Sequence, residues 1–386
     1  MYVSRVSLAL ATLLVLAAGS VSAQKKKPAS DDEGYVPQVV PESKQKKHKK
    51  EETQSLPPSP ELPNIVVAET DKLSFDVTPL SSKGLLTQQT RDAFKNLLRN
   101  SRGTIVKLRA FVAGSGDLRR IGELAGEILS DKHQPLPALT VLQVGGLPMP
   151  GAQIVIEATE MEKKSVNPNG LAFISGQTAA GIAQSLDRVK RALGAAGLDP
   201  SDALRITCFV SSLDEEKSGH LLMSGNFPNA AVNFVQMQRE PVTPAAECEA
   251  VARLRSAPTQ PVTFMNPPGL EKSPNYSQIA LVHSAKLAIT GTQLAFGGQE
   301  SDLKLAFERL EKSLSSHGGS LSRVVMSHVY LGSVGIASKV RTVRSAYFNS
   351  EHPPASTMLP FEALPGLDAQ MGLDVISVAD SSSAQR

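Results

Sequence analysis

The feature of this sequence that most constrains its fold is an internal repeat, in which a strand, a helix and a strand follow one another three times. The central copy is the clearest. A strand-like run at 170–177 precedes a helix-like run at 182–193, whose apolar residues keep three-to-four spacing, and a second strand follows at 203–210. A repeated unit of this kind needs a partner layer for its apolar face, so it points to packed sheets and helices.

The same order recurs on both sides of the central copy. The strand, helix and strand runs are 287–293, 303–314 and 323–331 on the C-terminal side, and 73–77, 91–98 and 104–112 on the N-terminal side. Each copy continues with a Pro-containing segment and a last strand; these segments begin at Pro137, Pro228 and Pro354. We therefore predict an α+β fold of three tandem units, each a mixed β-sheet with helices on one face, at 65–161, 167–255 and 275–380.

Composition excludes several classes of protein. The chain has 386 residues, 41% hydrophobic and 20% charged, which is enough apolar mass for a core. Aromatic residues make up 4% and Trp is absent, so base-stacking platforms and a nucleic-acid partner are not expected. The net charge of +3 provides no strong field toward polyanions.

The N-terminus is typical of a secretory signal peptide. An apolar run of about 12 residues follows Arg5, and Val21-Ser22-Ala23 fits the small-residue cleavage rule, so we expect residues 1–23 to be removed and the protein to be exported, periplasmic or secreted. Such a run is too short to span a bilayer, and no stable membrane span is expected after processing. An uncleaved anchor is the alternative. Residues 24–64 are predicted to be a disordered basic linker, because they contain few apolar residues.

The middle unit resembles the RidA/YjgF family of enamine/imine deaminases, related to endoribonuclease L-PSP. The resemblance lies in Ser175-Gly176-Gln177, in 184–190 and in 206–210. The third unit is similar through Thr290-Gly291 and 352–355, and the first through Pro137-Ala138 and 156–158. The resemblance implies chorismate-mutase-like domains that form trimers with ligand clefts between subunits. Three fused copies then imply a monomer that is an intramolecular pseudo-trimer; separate domains on a string are the alternative.

The same resemblance implies a chemistry and marks a departure from it. The family hydrolyses 2-imino acids without metal or organic cofactor, using an Arg that grips the substrate carboxylate and a Glu on the last strand. That Arg is absent from all three units, where its positions match Leu139, Ala230 and Ser356. The Glu position matches Glu157 and Glu249, our catalytic candidates.

Further residues follow from the resemblance. The third unit has Ile376 at the Glu position, with Asp374 two residues earlier on the same strand face. The family's cleft positions match a set of ligand-binding candidates: Ser175, Gly176, Thr290, Gly291, Leu139, Ala230 and Ser356. Three arginines are alternatives for the missing grip: Arg109, Arg205 and Arg239.

The remaining reactive residues give fewer signals. Cys208 and Cys248 fall on neighbouring predicted strands; they can form a disulfide, and we favour two small buried apolar side chains. The seven His residues show no metal-ligand spacing, so no metal or cofactor is expected.

Three functions stay open at this point. The first is an exported hydrolase of the enamine/imine deaminase type, the second is a catalytically silent protein that binds a small molecule in interdomain clefts, and the third is a protein-interaction or chaperone-like module.

Overall fold

The computed structural model describes residues 59–214, 216–238 and 245–380. The predicted signal peptide, linker residues 24–58 and Arg239 lie outside the described residues. The helices within them are α1 (Leu86–Asn100), α2 (Arg119–Asp131), α3 (Ile182–Ala195), α4 (Glu216–Asn226), α5 (Glu300–Ser315) and α6 (Ala337–Arg344). None of the described helices is long and apolar enough to cross a membrane.

Helix α3 shows how the local sequence produces these elements. The apolar residues at its three-to-four spacing form its buried face, as the pattern predicts. The helix ends at Ala195, and Gly197, two residues later, adopts φ +71°, a backbone conformation that suits glycine. The amide of Leu198 then closes the last turn on the carbonyl of Leu193 at 2.9 Å.

The strands fall into three sheets. The first sheet has the order β2-β5-β3-β4. Its strands are β2 (Leu73–Val77), β3 (Gly103–Ala113), β4 (Ala138–Val144) and β5 (Ile154–Glu162). Strand β3 runs parallel to β4 and antiparallel to β5, so the sheet is mixed.

The second sheet has the order β10-β11-β6-β9-β7-β8. Its strands are β6 (Leu171–Ala179), β7 (Ala203–Val210), β8 (Ala231–Gln236), β9 (Ala246–Arg253), β10 (Val262–Met265) and β11 (Ile279–Val282). Strand β7 runs parallel to β8 and antiparallel to β9, which repeats the arrangement of the first sheet.

The third sheet has the order β1-β12-β16-β14-β15, with β13 also paired to β16. Its strands are β1 (Ile65–Glu69), β12 (Lys286–Thr290), β13 (Gln293–Phe296), β14 (Val324–Leu331), β15 (Ala355–Pro360) and β16 (Ala369–Ala379). Again the strand after the helix, β14, runs parallel to β15 and antiparallel to β16.

Two strands lie in a different sheet from the one that the predicted unit boundaries suggest. Strand β1 begins the predicted first unit but pairs with β12 of the third sheet, from Ile65 opposite Thr290 to Glu69 opposite Lys286. Strand β11 falls in the predicted third unit but pairs with β6 of the second sheet. Their apolar residues explain these positions, because each strand buries side chains against the sheet it extends.

The helices cover the outer face of each sheet, and the inner faces of the three sheets pack on one another. An aromatic group marks this inner contact: Phe111 on β3 lies 6.0 Å from Phe209 on β7, measured between ring centroids. Phe361, just after β15, contacts both Phe209 and Tyr330 on β14 at 5.8 and 5.4 Å. Side chains from all three sheets therefore share one inner core.

The second helix of each predicted unit differs in length. The structure has 11 residues in α4 of the middle unit, against 13 in α2 of the first unit and 8 in α6 of the third.

Candidate functional site

The predicted catalytic carboxylates lie together on the inner faces of the sheets. Strand pairing puts three acids at equivalent positions, each opposite a residue of the strand beside it: Glu157 opposite Arg109, Glu249 opposite Thr207, and Asp374 opposite His328. Asp374, rather than Ile376, is therefore the third-sheet counterpart of the two glutamates. All three carboxylates are at most 3% exposed.

Arg109 joins the two glutamates that were predicted as catalytic candidates. Its Nε and Nη2 donate to Glu157 Oε2 at 2.9 and 2.6 Å, and Nη2 also donates to Glu249 Oε1 at 2.7 Å. Glu157 Oε1 accepts further hydrogen bonds from Thr207 Oγ1 and Asn233 Nδ2, both at 2.7 Å. The two carboxylates thus belong to one buried ion-pair network.

Asp374 organises the other side of this network. Its Oδ2 accepts from Thr140 Oγ1 at 2.6 Å, from Tyr330 OH at 2.9 Å and from Lys107 Nζ at 3.2 Å. Its Oδ1 lies 2.8 Å from His328 Nδ1, and His328 Nε2 lies 3.4 Å from Glu249 Oε1. We call the following residues the central charge cluster: Lys107, Arg109, Glu157, Arg205, Glu249, His328 and Asp374.

The pKa shifts in the central charge cluster keep its acids ionised. Burial alone would raise the pKa of Glu249, but the charges of Arg109 and His328 hold it well below its ordinary value. Lys107 and His328 lower the pKa of Asp374 in the same way, against the effect of burial. The pKa of His328 is raised by Glu249 and Asp374 despite burial.

This geometry engages Glu157 and Glu249 with protein partners. The cavity lined by Glu157 has a volume of about 30 Å³, room for about one water molecule. Of the replacement arginines, Arg109 and Arg205 lie in the central charge cluster, so they neutralise protein carboxylates. The ion pairs of Arg109 with Glu157 and Glu249 therefore connect the first sheet to the second.

The positions of the missing Arg contain no cation. On β4, Leu139 comes one residue before Thr140, which lies opposite Arg109. On β15, Ser356 comes one residue before Thr357, which lies opposite His328. In the second sheet the corresponding residue is Val232, not Ala230, because a turn closed by the Ala230 amide on the Phe227 carbonyl delays the start of β8. The correction changes the residue but leaves an aliphatic side chain in that place.

The other predicted ligand-binding residues meet across sheets. The Ser356 amide donates to Ser175 Oγ at 2.8 Å, which connects the third sheet to the second. The amide of Thr292 donates to the Leu139 carbonyl at 3.1 Å beside Gly291, and Lys107 Nζ donates to the Thr290 carbonyl at 2.5 Å. A Cβ on Gly291 would lie 2.9 Å from the Leu139 carbonyl oxygen, so glycine permits this close approach.

The structure adds a carboxylate that sequence reasoning missed, Glu247 on β9. It lies two residues before Glu249, and its side chain is held over the backbone of Gly176. Glu247 Oε2 accepts a 2.5 Å hydrogen bond from Thr178 Oγ1. It is 7% exposed, against 1% for Glu249. The alternation of Glu247 and Glu249 on one strand face was the available signal.

Burial raises the pKa of Glu247 to about 7, and the charges of Glu249 and Glu271 add to this effect, against the hydrogen bond from Thr178. Burial and the charges of Glu271 and Glu247 also raise the pKa of Tyr276. Because its pKa is about 7, the carboxyl of Glu247 is close to half ionised at neutral pH.

Gln278 Oε1 accepts a hydrogen bond from Gln177 Nε2 at 2.6 Å, so the segment before β11 lies against the Ser-Gly-Gln motif.

Glu247 is particular to the second sheet. Strand pairing places it opposite Phe209, and the equivalent positions in the first and third sheets contain Val155 and Gly372. Of these three equivalent strand positions, the one in the second sheet is therefore the only one with a carboxyl group.

The cysteines are paired. Cys208 on β7 and Cys248 on β9 are opposite each other and form a disulfide, so the favoured prediction of two free thiols was wrong. Among the described residues no group of three His, Cys, Asp or Glu side chains is arranged to hold a metal ion.

Comparison with known proteins gives a family for the C-terminal part of the chain. Residues 270–379 match the family model for endoribonuclease L-PSP. Among solved structures, the chain is similar to a Rid-family protein of unknown function from Yersinia pestis, with 16% identity over 31% of this chain and 99% of that chain and a TM-score of 0.28. It is also similar to yeast Mmf1, with 19% identity over 31% of this chain and 98% of that chain and a TM-score of 0.23.

A third similar structure is a YjgF-family member from Mycobacterium tuberculosis, with 15% identity over 31% of this chain and 99% of that chain and a TM-score of 0.23. No curated protein matches the chain. The family match confirms the resemblance predicted from the sequence and covers most of the third unit. Residues 270–379 of this chain are therefore similar to the endoribonuclease L-PSP family.

Proposed function

We propose that this chain is an exported RidA-type protein that binds a small molecule beside Glu247 and hydrolyses its carbon–nitrogen double bond. The observation that carries this proposal is the buried carboxyl of Glu247, which accepts a hydrogen bond from Thr178 and lies over the backbone of Gly176; burial raises its pKa to about 7. A general acid–base group is most effective when its pKa is close to the working pH, because both protonation states are then available.

The reaction follows from these two states. Protonated Glu247 donates its proton to the imine nitrogen, which makes the adjacent carbon electrophilic. Water adds to that carbon, and the Glu247 carboxylate accepts a proton from it. Glu247 then gives its proton to the nitrogen of this carbinolamine, and the carbon–nitrogen bond breaks as the hydroxyl group forms a carbonyl and returns its proton to the Glu247 carboxylate. Ammonia or an amine leaves, and Glu247 is protonated as at the start.

The ligand we propose has no carboxylate gripped by arginine. Leu139, Val232 and Ser356 offer no paired cationic donors where the family has its Arg, and Arg109 is engaged with Glu157 and Glu249. A neutral imine adds no further negative charge near Glu247, whose surroundings already include Glu249 and Glu271.

Two further features of the proposal have support of different kinds. The Cys208–Cys248 disulfide supports export, since disulfides persist mainly in oxidising compartments. The pseudo-trimer is supported by the recurrence of one strand arrangement in three sheets whose inner faces meet. Tethering the three units removes the concentration dependence of assembling them.

The test compares two substrates and two variants of the full chain. The substrates are N-methylbenzaldimine, a neutral imine, and freshly generated 2-aminoacrylate, with release of benzaldehyde or keto acid measured over pH 5–9. We expect hydrolysis of the neutral imine with an apparent pKa near 7, a reduction of about 100-fold or more in Glu247→Gln, and no change in Glu308→Gln, which alters an exposed glutamate on α5.

Three outcomes would count against this assignment. Faster turnover of 2-aminoacrylate would mean that another cation grips a carboxylate. Equal rates in wild type and Glu247→Gln would remove Glu247 from the chemistry. Binding of the imine with no turnover would favour the catalytically silent ligand-binding function.

A further inference from the structure

A basic cleft lies on the outer face of the first sheet, apart from Glu247. It runs between α1 and the end of α2 and has a volume of about 790 Å³, within the range of small-molecule sites. Asp131 is the one acidic residue in its lining. Six cationic side chains line it: Arg91, Lys95, Arg99, Arg102, Lys132 and Lys163.

Three of these cations form a row along α1. Arg91, Lys95 and Arg99 are spaced four residues apart, so they are neighbours on one face of the helix. Like charges at this spacing repel one another and destabilise an isolated helix. Arg91 lies 3.5 Å from Glu127, whereas Lys95 and Arg99 have no carboxylate of a described residue within 4 Å. The fold therefore maintains a local concentration of uncompensated positive charge.

The floor of the cleft is apolar. Leu98 and Ile128 are half-buried, and Ile105 and Leu129 are buried beneath them. Binding of an inorganic anion alone does not require an apolar floor, and binding of a purely apolar ligand does not require a cationic rim. Together they match a ligand with an acidic end and a hydrocarbon end.

The equivalent helix of the third sheet does not carry this row. On α5, Glu300 and Lys304 form a 2.7 Å ion pair at the same four-residue spacing. The charge row is thus a property of α1 rather than of the repeat.

We propose that this cleft binds a phosphate monoester attached to a short apolar chain. Several cations suit a head group that carries up to two negative charges, and the guanidinium groups of Arg99 and Arg102 can donate paired hydrogen bonds to phosphate oxygens. The same chemistry is present in a soluble ester and in the head group of an anionic lipid, which the experiment separates.

The experiment titrates the full chain with octyl phosphate below its micelle concentration, using calorimetry. We expect binding at one site that weakens as salt increases, because the cations are exposed. Inorganic phosphate and octyl glucoside, which carry only one half of the ligand each, should bind at least tenfold more weakly. Vesicles of phosphatidic acid, whose head group is a phosphate monoester, and of phosphatidylcholine then show whether the site also accepts a head group in a lipid surface.

The variant Lys95→Gln/Arg99→Gln removes two cations of the row. We expect it to lose tenfold or more in affinity for octyl phosphate while its thermal unfolding stays at or above the wild-type temperature, since like-charge repulsion is removed. The matched control is Lys312→Gln/Arg341→Gln, which removes exposed cations of α5 and α6 and should bind as wild type does.

Equal affinity in the two double variants would overturn the proposal, as would octyl glucoside binding as tightly as octyl phosphate. Failure of octyl phosphate to bind would also overturn it, unless phosphatidic acid vesicles bind in a manner that depends on Lys95 and Arg99; that result would assign the head group to a lipid. The Glu247 proposal does not depend on any of these outcomes.

Discussion

The backbone amide of Ser356 donates a 2.8 Å hydrogen bond to the hydroxyl of Ser175, which lies 181 residues earlier in the chain. That hydroxyl in turn donates to the carbonyl of Ser277 at 2.6 Å. Strand β15 of the third sheet is therefore attached directly to the Ser-Gly motif of the second sheet. The Ser175 hydroxyl both accepts and donates a hydrogen bond within the protein.

Restoring the missing Arg in the first sheet is not expected to restore the family activity. Leu139 packs against the core under α1 and α2, with its Cδ2 about 3.5 Å from where a Cβ on Gly122 would lie. Leu139→Arg should therefore lower the free energy of unfolding by about 1–3 kcal/mol through overpacking. Chemical denaturation measures this, and a gain in keto acid release from 2-aminoacrylate would contradict our interpretation of Glu157.

Removing the cation that joins two sheets should cost more. Arg109→Met leaves Glu157 and Glu249 buried without their strongest partner, and breaking a buried ion pair from one side typically costs about 3–5 kcal/mol. We expect a loss of this size in urea unfolding at pH 7. Adding Glu157→Gln and Glu249→Gln to the same chain should recover part of it, because neutral amides need no counter-charge; an unchanged loss would mean that packing of the arginine, not its charge, matters.

Glu247 should make the free energy of unfolding depend on pH between 4.5 and about 7, above the pH at which a glutamate ordinarily titrates. Its carboxyl has an ordinary pKa of 4.5 and a folded-state pKa of about 7, so the folded state retains a proton that the unfolded state releases. Stability then falls as pH rises through this interval, by about 3 kcal/mol in total. The stability of Glu247→Gln relative to wild type should rise by this amount between pH 4 and pH 8; a constant difference would show that Glu247 ionises normally.

The disulfide should contribute to stability and be measurable in the native protein. Cys208 and Cys248 enclose a loop with a sequence separation of 40, and closing a loop of this order typically stabilises a protein by about 2–4 kcal/mol. The double variant Cys208→Ala/Cys248→Ala should have a free energy of unfolding that is lower by that amount, so it should unfold at a lower denaturant concentration. Labelling of unreduced, unfolded wild-type chain with a thiol reagent should give no adduct, and two adducts would contradict the pairing.

The elements themselves could be predicted well from sequence, because their periodicity is local. The strand predicted at 203–210 has those bounds in β7, and the helix predicted at 182–193 is α3 with two more residues. The spacing of Ile182, Leu186, Val189 and Leu193 carries that information without knowledge of the rest of the chain.

The site was predicted less well, because its chemistry depends on which sheet faces which. Glu157 and Glu249 were predicted as catalytic candidates from their match to the family's Glu position, and that match could not indicate that both contact Arg109 once the inner faces meet. The shift from Ala230 to Val232 has a different cause, a turn whose two extra residues a motif match cannot detect. Charge compensation across 140 residues of sequence leaves no local pattern.

The pairing of β1 with β12 has a consequence for how the protein acquires its structure. Ile65 lies opposite Thr290, so the strand made earliest among those described waits for a partner that is made more than two hundred residues later. Until then its edge is unpaired and its apolar residues are exposed, which is a hazard for aggregation during synthesis. Such non-local pairing also slows folding. A truncated chain that ends before β12 should therefore leave β1 unpaired. The folding of this protein cannot simply follow the order in which its residues are synthesised.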